Sequence, residues 1–151
     1  MNSVEIRQAQ AADISVIAKL TRRAYAKWVL VLGREPLPMS ADYEASFTHH
    51  RFDLAEIDGV PVGLIETLTV DGALLIENLA IAPEHQRRGL GSRLVAVAEE
   101  LARSRGLTAL TLYTNRRFTG NIELYQRLGF EVVGEESLED GSTRVDMRKV
   151  I

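Results

Sequence analysis

Apolar residues along this chain fall into two rhythms that alternate, and the alternation predicts the order of elements. Val4 to Ala9 alternates with a period of two and reads as a short strand, with Val4 and Ile6 on one face. Asp13 opens a helix whose Ile14, Ile17, Ala18 and Ala24 recur at helical spacing and which runs to about Trp28. Gly33 to Met39 holds two prolines and a glycine, which excludes regular structure. Ser40 or Asp42 caps a second short helix through Phe47.

Three strand-like runs follow, Phe52 to Ile57, Val62 to Val70 and Leu74 to Ile81. They are joined by Asp58-Gly59 and Asp71-Gly72, both hairpin turn signals, so they predict an antiparallel meander. The rhythm then returns to helical from Ser92 to Arg105, with Leu94, Val97, Ala98 and Leu101 on one stripe and Gly106 as the stop. Thr108 to Tyr113 reads as a strand, Thr119 to Leu128 as a helix closed by Gly129, and Phe130 to Val133 with Thr143 to Met147 as a final hairpin. The order is β-α-α-β-β-β-α-β-α-β-β. The strand-helix-strand unit over 74–113 requires one parallel pair inside an otherwise antiparallel sheet, an α/β (α+β) architecture.

Between the strand ending near Ala82 and the helix from Ser92 lies Gln86-Arg87-Arg88-Gly89-Leu90-Gly91. A strand that turns through glycines into a helix start presents unpaired N–H groups and the positive end of the helix dipole, which is an anion site. Gly89 and Gly91 let the backbone approach a phosphate, and Arg87 and Arg88 add charge. A P-loop is excluded, because no Lys follows the second glycine. The dinucleotide fingerprint is excluded as well, because position 94 is Leu instead of Gly.

With 151 residues the chain suits a single domain, 1–151, with a real core. A net charge of -3 argues against a general nucleic-acid partner. The absence of Cys removes a thiolate nucleophile and Cys-ligated metal. The start Met1-Asn2-Ser3-Val4-Glu5 lacks the basic and apolar regions of a signal peptide, and no run is long enough for a membrane span, so the expected location is cytoplasmic. His49 and His50, without further ligands nearby in sequence, read as surface residues and not as a metal site. The acids Glu131, Glu135, Glu136, Glu139 and Asp140 read as a solvated hairpin edge.

The glycine loop resembles the acyl-CoA pyrophosphate loop of the GNAT superfamily of N-acetyltransferases. A second stretch is similar to the other signature of that family: Asn121, then Leu124-Tyr125, then Gly129-Phe130, preceded by Leu112-Tyr113-Thr114-Asn115. The two motifs stand in the family order about 35 residues apart. The resemblance implies the GNAT-type fold, in which the parallel pair splays and the acetyl-CoA arm lies in the gap. It also implies transfer of acetyl to a primary amine by direct attack, without an acyl-enzyme or a metal.

For the cosubstrate, the resemblance implies contacts from the backbone of Leu79, Ala80 and Ile81 to the pantetheine arm and from Arg87, Arg88, Gly89, Leu90, Gly91 and Ser92 to the diphosphate. Asn115 and Asn121 match family positions beside the arm. A backbone N–H near Leu79 or Ala80 would meet developing negative charge on oxygen. Tyr125 matches the general acid. Tyr, near pKa ~10, is a weaker acid than a thiol near ~8.5, so hydrogen-bonding to sulfur is most of what it can offer. Glu77, the one acid in an apolar strand and on one face with Leu79 and Ile81 by the period of two, is the candidate base. Burial there would raise its pKa; the alternatives are that it only orients the amine or faces solvent. Glu66 is a secondary candidate.

The resemblance implies that the first two helices and their connection cover the acceptor, through Tyr25, Trp28, Arg34, Glu35, Met39, Asp42 and Tyr43, with Glu77 facing it from the strand; Trp28, Arg34, Met39, Tyr43 and Glu77 are the expected substrate contacts. Arg34 suits a substrate carboxylate and Asp42 a cationic amine, with a solvated loop and a helix cap as the plain alternatives. A small-molecule amine or amino acid is expected ahead of a protein N-terminus. A non-catalytic acyl-CoA-binding module is the rival reading, and a homodimer is left open.

Overall fold

A computed structural model describes residues 3–151; Met1 and Asn2, which open the stretch read above for a leader, lie outside the described residues. One seven-stranded sheet carries the chain, with β1 (Val4–Gln8), β2 (Arg51–Ile57), β3 (Val60–Val70), β4 (Ala73–Ile81), β5 (Ala109–Asn115), β6 (Glu131–Ser137) and β7 (Thr143–Val150). The spatial order is β1-β2-β3-β4-β5-β7-β6. Every neighbouring pair is antiparallel except β4–β5. The helices are α1 (Ile14–Leu32), α2 (Tyr43–Phe47), α3 (Leu90–Ser104) and α4 (Thr119–Arg127). No helix among the described residues is long and apolar enough to cross a membrane.

Local chemistry explains the boundaries. Both Asp-Gly turns have positive φ at each residue, 51° and 77° at Asp58-Gly59 and 51° and 76° at Asp71-Gly72, the geometry that matches strand twist in two-residue hairpins. The helix expected to end near Trp28 runs one turn further. It stops only at Gly33, the first residue free to adopt φ 74°, whose N–H closes on Val29 O at 2.8 Å. Asp42, not Ser40, caps α2 by accepting from Ala45 N at 3.1 Å. The Pro-rich connection is not wholly irregular, since Leu37–Met39 forms a single 3₁₀ turn.

Each face of the sheet buries its own core. On one face α3 and α4 cover Ile65, Leu74, Ile76, Leu110, Leu112 and Met147. On the other α1 and α2 cover Phe52, Leu54, Leu64, Ala80 and Ala82 with Ile17 and Leu20. Two irregularities shape what lies between these cores. The parallel β4–β5 pairing holds only from Leu74–Ile76 opposite Leu110–Leu112; beyond Ile76 the two strands part. At the same point the β3–β4 register shifts, with Glu66 opposite Asn78 and Thr67 opposite Ile76, so that Glu77 is the extra residue of a β-bulge.

That bulge reverses the phase of β4. Leu74 and Ile76 face the α3 core, whereas Ala80 and Ala82, of the same parity, face the α1 core. It also corrects the expectation that Glu77 shares a face with Leu79 and Ile81. Glu77 accepts a hydrogen bond from Tyr113 Oη at 2.9 Å, on the side of the sheet away from the core that Leu79 and Ile81 join.

The acidic hairpin differs from expectation too. Three of its five acids are paired, Glu135 with Arg116, Glu136 with Arg144 and Asp140 with Arg34.

Candidate active site

Two cavities open where β4 and β5 separate. The larger, about 570 Å³, lies over the glycine loop and the start of α3. The smaller, about 270 Å³, lies under α1, α2 and their connection. Tyr25, Leu79, Asn121 and Tyr125 line both, and so mark the junction.

The loop is held open from below. Gln86 donates from Nε2 to Ile81 O at 3.0 Å and accepts from Lys27 Nζ at 2.8 Å, which ties the strand end, the loop and α1 together. Arg87 and Gly89 take the left-handed conformation at φ 63° and 81°, the kind of backbone that gathers successive N–H groups into an anion-binding concavity. The first helical bond runs from Arg93 N to Gly89 O at 3.2 Å. The N–H groups of Arg87, Arg88, Gly89, Leu90, Gly91 and Ser92 therefore have no acceptor among the described residues, and Gly89 brings no side-chain cap. A Cβ on Gly89 would meet nothing within 4 Å, while one on Gly91 would touch Leu79 and Leu124 at 3.8 Å. Six free amides at a helix start fit a diphosphate.

Arg87, Gly89, Leu90, Gly91 and Ser92 line this cavity, and Arg88 does not. Leu79 and Ile81 line it as well, whereas Ala80 is buried beneath them. The register explains the difference. Ala82 N bonds Val62 O, so the backbone groups of Ala82 and Ala80 point to β3, and those of Leu79 and Ile81 point into the gap left by β5. Trp28 is on this side, stacked on Phe118 with ring centroids 4.4 Å apart, and is not brought to the smaller cavity.

Arg34, Tyr43 and Glu77 line the smaller cavity, and Asn115 joins them instead of the larger one. Asn115 Oδ1 accepts from Arg117 N at 2.9 Å, a local turn at the end of β5. Met39 is buried outside both linings, where its carbonyl accepts from Arg22 Nη1 at 2.9 Å. Asp42 is absent from the lining because it caps α2, and Glu35 because it pairs with Arg22.

The floor of the smaller cavity is a polar network that the sequence did not announce. Asn78 accepts from Tyr25 Oη at 2.9 Å and donates to Thr21 Oγ1 at 3.2 Å and to Tyr43 Oη at 3.3 Å. Tyr43 Oη in turn donates to Pro38 O at 2.6 Å. Beside it the buried Glu66 carboxylate meets His50 Nδ1. Burial pushes the Glu66 carboxyl up from the usual carboxylate range, against the pull of His50. His50 is thus a wall of the cavity, contrary to its reading as a surface residue. Burial pushes the Tyr43 hydroxyl to about 12, and burial with the adjoining Glu77 carboxylate takes Tyr113 to about 12.

Asn78, a buried amide in an apolar strand, gave the same signal as Glu77 and could have been found by it. His50 could not, since its partner is sixteen residues away on another strand.

Tyr125 stands at the junction. It is 7% exposed and packs edge-on against Phe130 at 5.5 Å. Its hydroxyl has no hydrogen-bond partner among the described residues. Burial pushes its ionisation well above the ordinary tyrosine value.

Residues 17–130 match the model of the Acetyltransferase (GNAT) family, more than half of the chain. The chain belongs to the GNAT family. Among curated relatives, it is 32% identical over 91 residues to an uncharacterized protein, YyaT, of Bacillus subtilis (strain 168), a match covering 60% of either chain. It is 33% identical over 90 residues to N-acetyltransferase family 8 member 3 of Rattus norvegicus, covering 56% of this chain and 40% of that protein. The chain thus spans about half the length of these relatives. PaiA N-acetyltransferase from Thermoplasma acidophilum, solved in complex with coenzyme A, shares the fold, with a TM-score of 0.75, 21% identity and 99% of both chains covered. The splayed sheet and the open glycine loop of this GNAT chain are features of one mixed seven-stranded sheet flanked by helices.

Proposed function

We propose that this chain is a single-domain acetyltransferase that moves acetyl from acetyl-CoA to a small primary amine by direct attack. Family membership supports the activity, and coenzyme A in the related structure supports the donor. The observation that carries the reading is the junction: a cavity beside a loop of unpaired amides meets a polar cavity at the buried Tyr125.

Acetyl-CoA supplies an activated acetyl thioester. The N–H row of residues 87–92 and the α3 dipole hold the diphosphate. The backbone edge of Leu79 and Ile81, where Ile81 O also holds Gln86, takes the amides of the arm as an added strand would. Asn121 closes the start of α4 beside it. On the other side, Arg34, Tyr43 and Glu77 shape the acceptor space. The amine must be neutral to attack, and an alkyl amine near pKa ~10 is almost wholly charged at pH 7. Glu77, fixed by the Tyr113 hydroxyl, takes the proton. Tyr125 donates a hydrogen bond to the departing sulfur and keeps its proton. No protein thiol is needed, and the chain has none.

Calorimetry with coenzyme A, followed by thiol release against a panel of amines, tests this. Micromolar binding with amine-dependent thiol release is expected, and Glu77→Gln should slow release without weakening coenzyme binding. Tight binding with no amine-dependent release would instead support a non-catalytic acyl-CoA-binding module.

A further inference from the structure

Five ionisable side chains other than tyrosines line the smaller cavity: Arg34, His50, Glu66, Glu77 and Arg144. Their charges do not balance within the cavity. Both guanidiniums are already answered from outside it. Arg34 pairs with Asp140, and Arg144 pairs with Glu136 at 3.0 Å and Asp146 at 3.1 Å while lying over the Tyr113 ring. None of those three carboxylates belongs to the lining. Glu66 is 3% exposed and has only His50 as a basic partner. Glu77 has no ion-pair partner among the described residues; its one side-chain bond is from the neutral Tyr113 hydroxyl. Two acidic side chains against one imidazole leave the lining with an excess acid, Glu77, and no unpaired cation among the described residues.

The remaining wall favours the same sign. Tyr25 and Tyr43 also line the cavity, and aromatic rings attract cations and not anions. A carboxylate-bearing acceptor would find its arginines taken and the unpaired Glu77 carboxylate opposing it. On the acetyltransferase reading above, we infer that the acceptor carries a second positive charge, so that the cavity selects diamines over monoamines and rejects amino acids. The transfer is R–NH₃⁺ plus acetyl thioester giving R–NH–acetyl, coenzyme A thiol and one proton. The carbonyl C–S bond breaks and a C–N bond forms. One of the two protons that nitrogen loses ends on sulfur and the other leaves to water.

Three acceptors of equal chain length, 1,4-diaminobutane, butylamine and 4-aminobutyrate, differ only in the distal group. Thiol release gives kcat/KM for each, corrected to the same neutral-amine fraction. Calorimetry gives the affinity of each for the protein–coenzyme A complex. The expected order is diamine above butylamine by at least tenfold and above 4-aminobutyrate by at least a hundredfold, in KM and in binding. The diamine advantage should fall with added salt, and Glu66→Gln should narrow it.

Equal efficiencies for all three, or preference for 4-aminobutyrate, overturn the charge assignment and leave the acetyltransferase reading intact. Coenzyme A binding with neither thiol release nor binding of any of the three overturns both.

Discussion

Replacing Tyr125 by Phe separates folding from chemistry more cleanly than any other change at the junction. The ring is 7% exposed and keeps its edge-on contact with Phe130 in either residue. The hydroxyl makes no bond within the described protein, so its removal should change folding stability by less than about 1 kcal/mol. In the reaction that hydroxyl acquires an acceptor, the sulfur as it gains charge. A hydrogen bond to a charged group contributes about 1.5–3 kcal/mol. At about 1.4 kcal/mol per decade this predicts a kcat about 10- to 150-fold lower. Because burial holds the hydroxyl well above its ordinary pKa, it stays protonated through neutral and mildly alkaline pH. The wild-type rate should therefore show no limb from its ionisation there. The assay is thiol release at saturating donor and amine, alongside coenzyme A calorimetry and urea unfolding. A kcat within threefold of wild type, or a loss wholly explained by weaker coenzyme binding, would refute the assignment.

Two further substitutions test the fold's polar contacts. Asp13 accepts from Gln10 N and from both Arg7 terminal nitrogens at 2.8–2.9 Å, and these contacts lower it from its ordinary 3.8 to about 2. A depressed carboxylate stabilises above its unfolded pKa and stops doing so as pH falls through the folded one, so the contribution vanishes between about pH 4 and pH 2. Arg7 is 39% exposed and screened, so Asp13→Asn should cost about 1 kcal/mol at pH 7 and almost nothing at pH 2, read by urea unfolding at each pH. Thr67 is 1% exposed, and its Oγ1 has no hydrogen-bond partner. Thr67→Val should be neutral or stabilise by up to about 1 kcal/mol, and a lower urea midpoint would show that the hydroxyl is satisfied in solution.

What the sequence discloses here is local, and what it withholds is the meeting of distant residues. The Asp-Gly turns, the stop at Gly129 and the glycine loop announce themselves, because each needs a backbone conformation that few residues tolerate. The order of strands and helices follows from the apolar period, as does the single parallel pair. The glycine-loop wall of the larger cavity was legible for the same reason, because its shape rests on backbone conformation at Arg87 and Gly89. The smaller cavity is shaped by side chains from distant elements. The His50–Glu66 contact, the three hydrogen bonds of Asn78 and the Trp28–Phe118 stack each join elements from separate parts of the chain, and no spacing encodes them. Arg34 shows the cost of reading a residue alone. It looked free for a substrate carboxylate, but Asp140, more than a hundred positions later, occupies it. The bulge escaped because inserting one residue changes register without changing composition.

That inserted residue makes β4 two half-strands in opposite phase. A scan of single deletions along the strand would find no silent position at 76–78. Removing any one residue would force the upstream half to turn Leu74 and Ile76 toward α1, or the downstream half to turn Ala80 and Ala82 toward α3. Trimming elsewhere shortens an end, whereas trimming here swaps inside for outside. The irregularity that brings Glu77 to the smaller cavity is thus also what lets one strand seal both hydrophobic layers, and the chain cannot lose the first without losing the second.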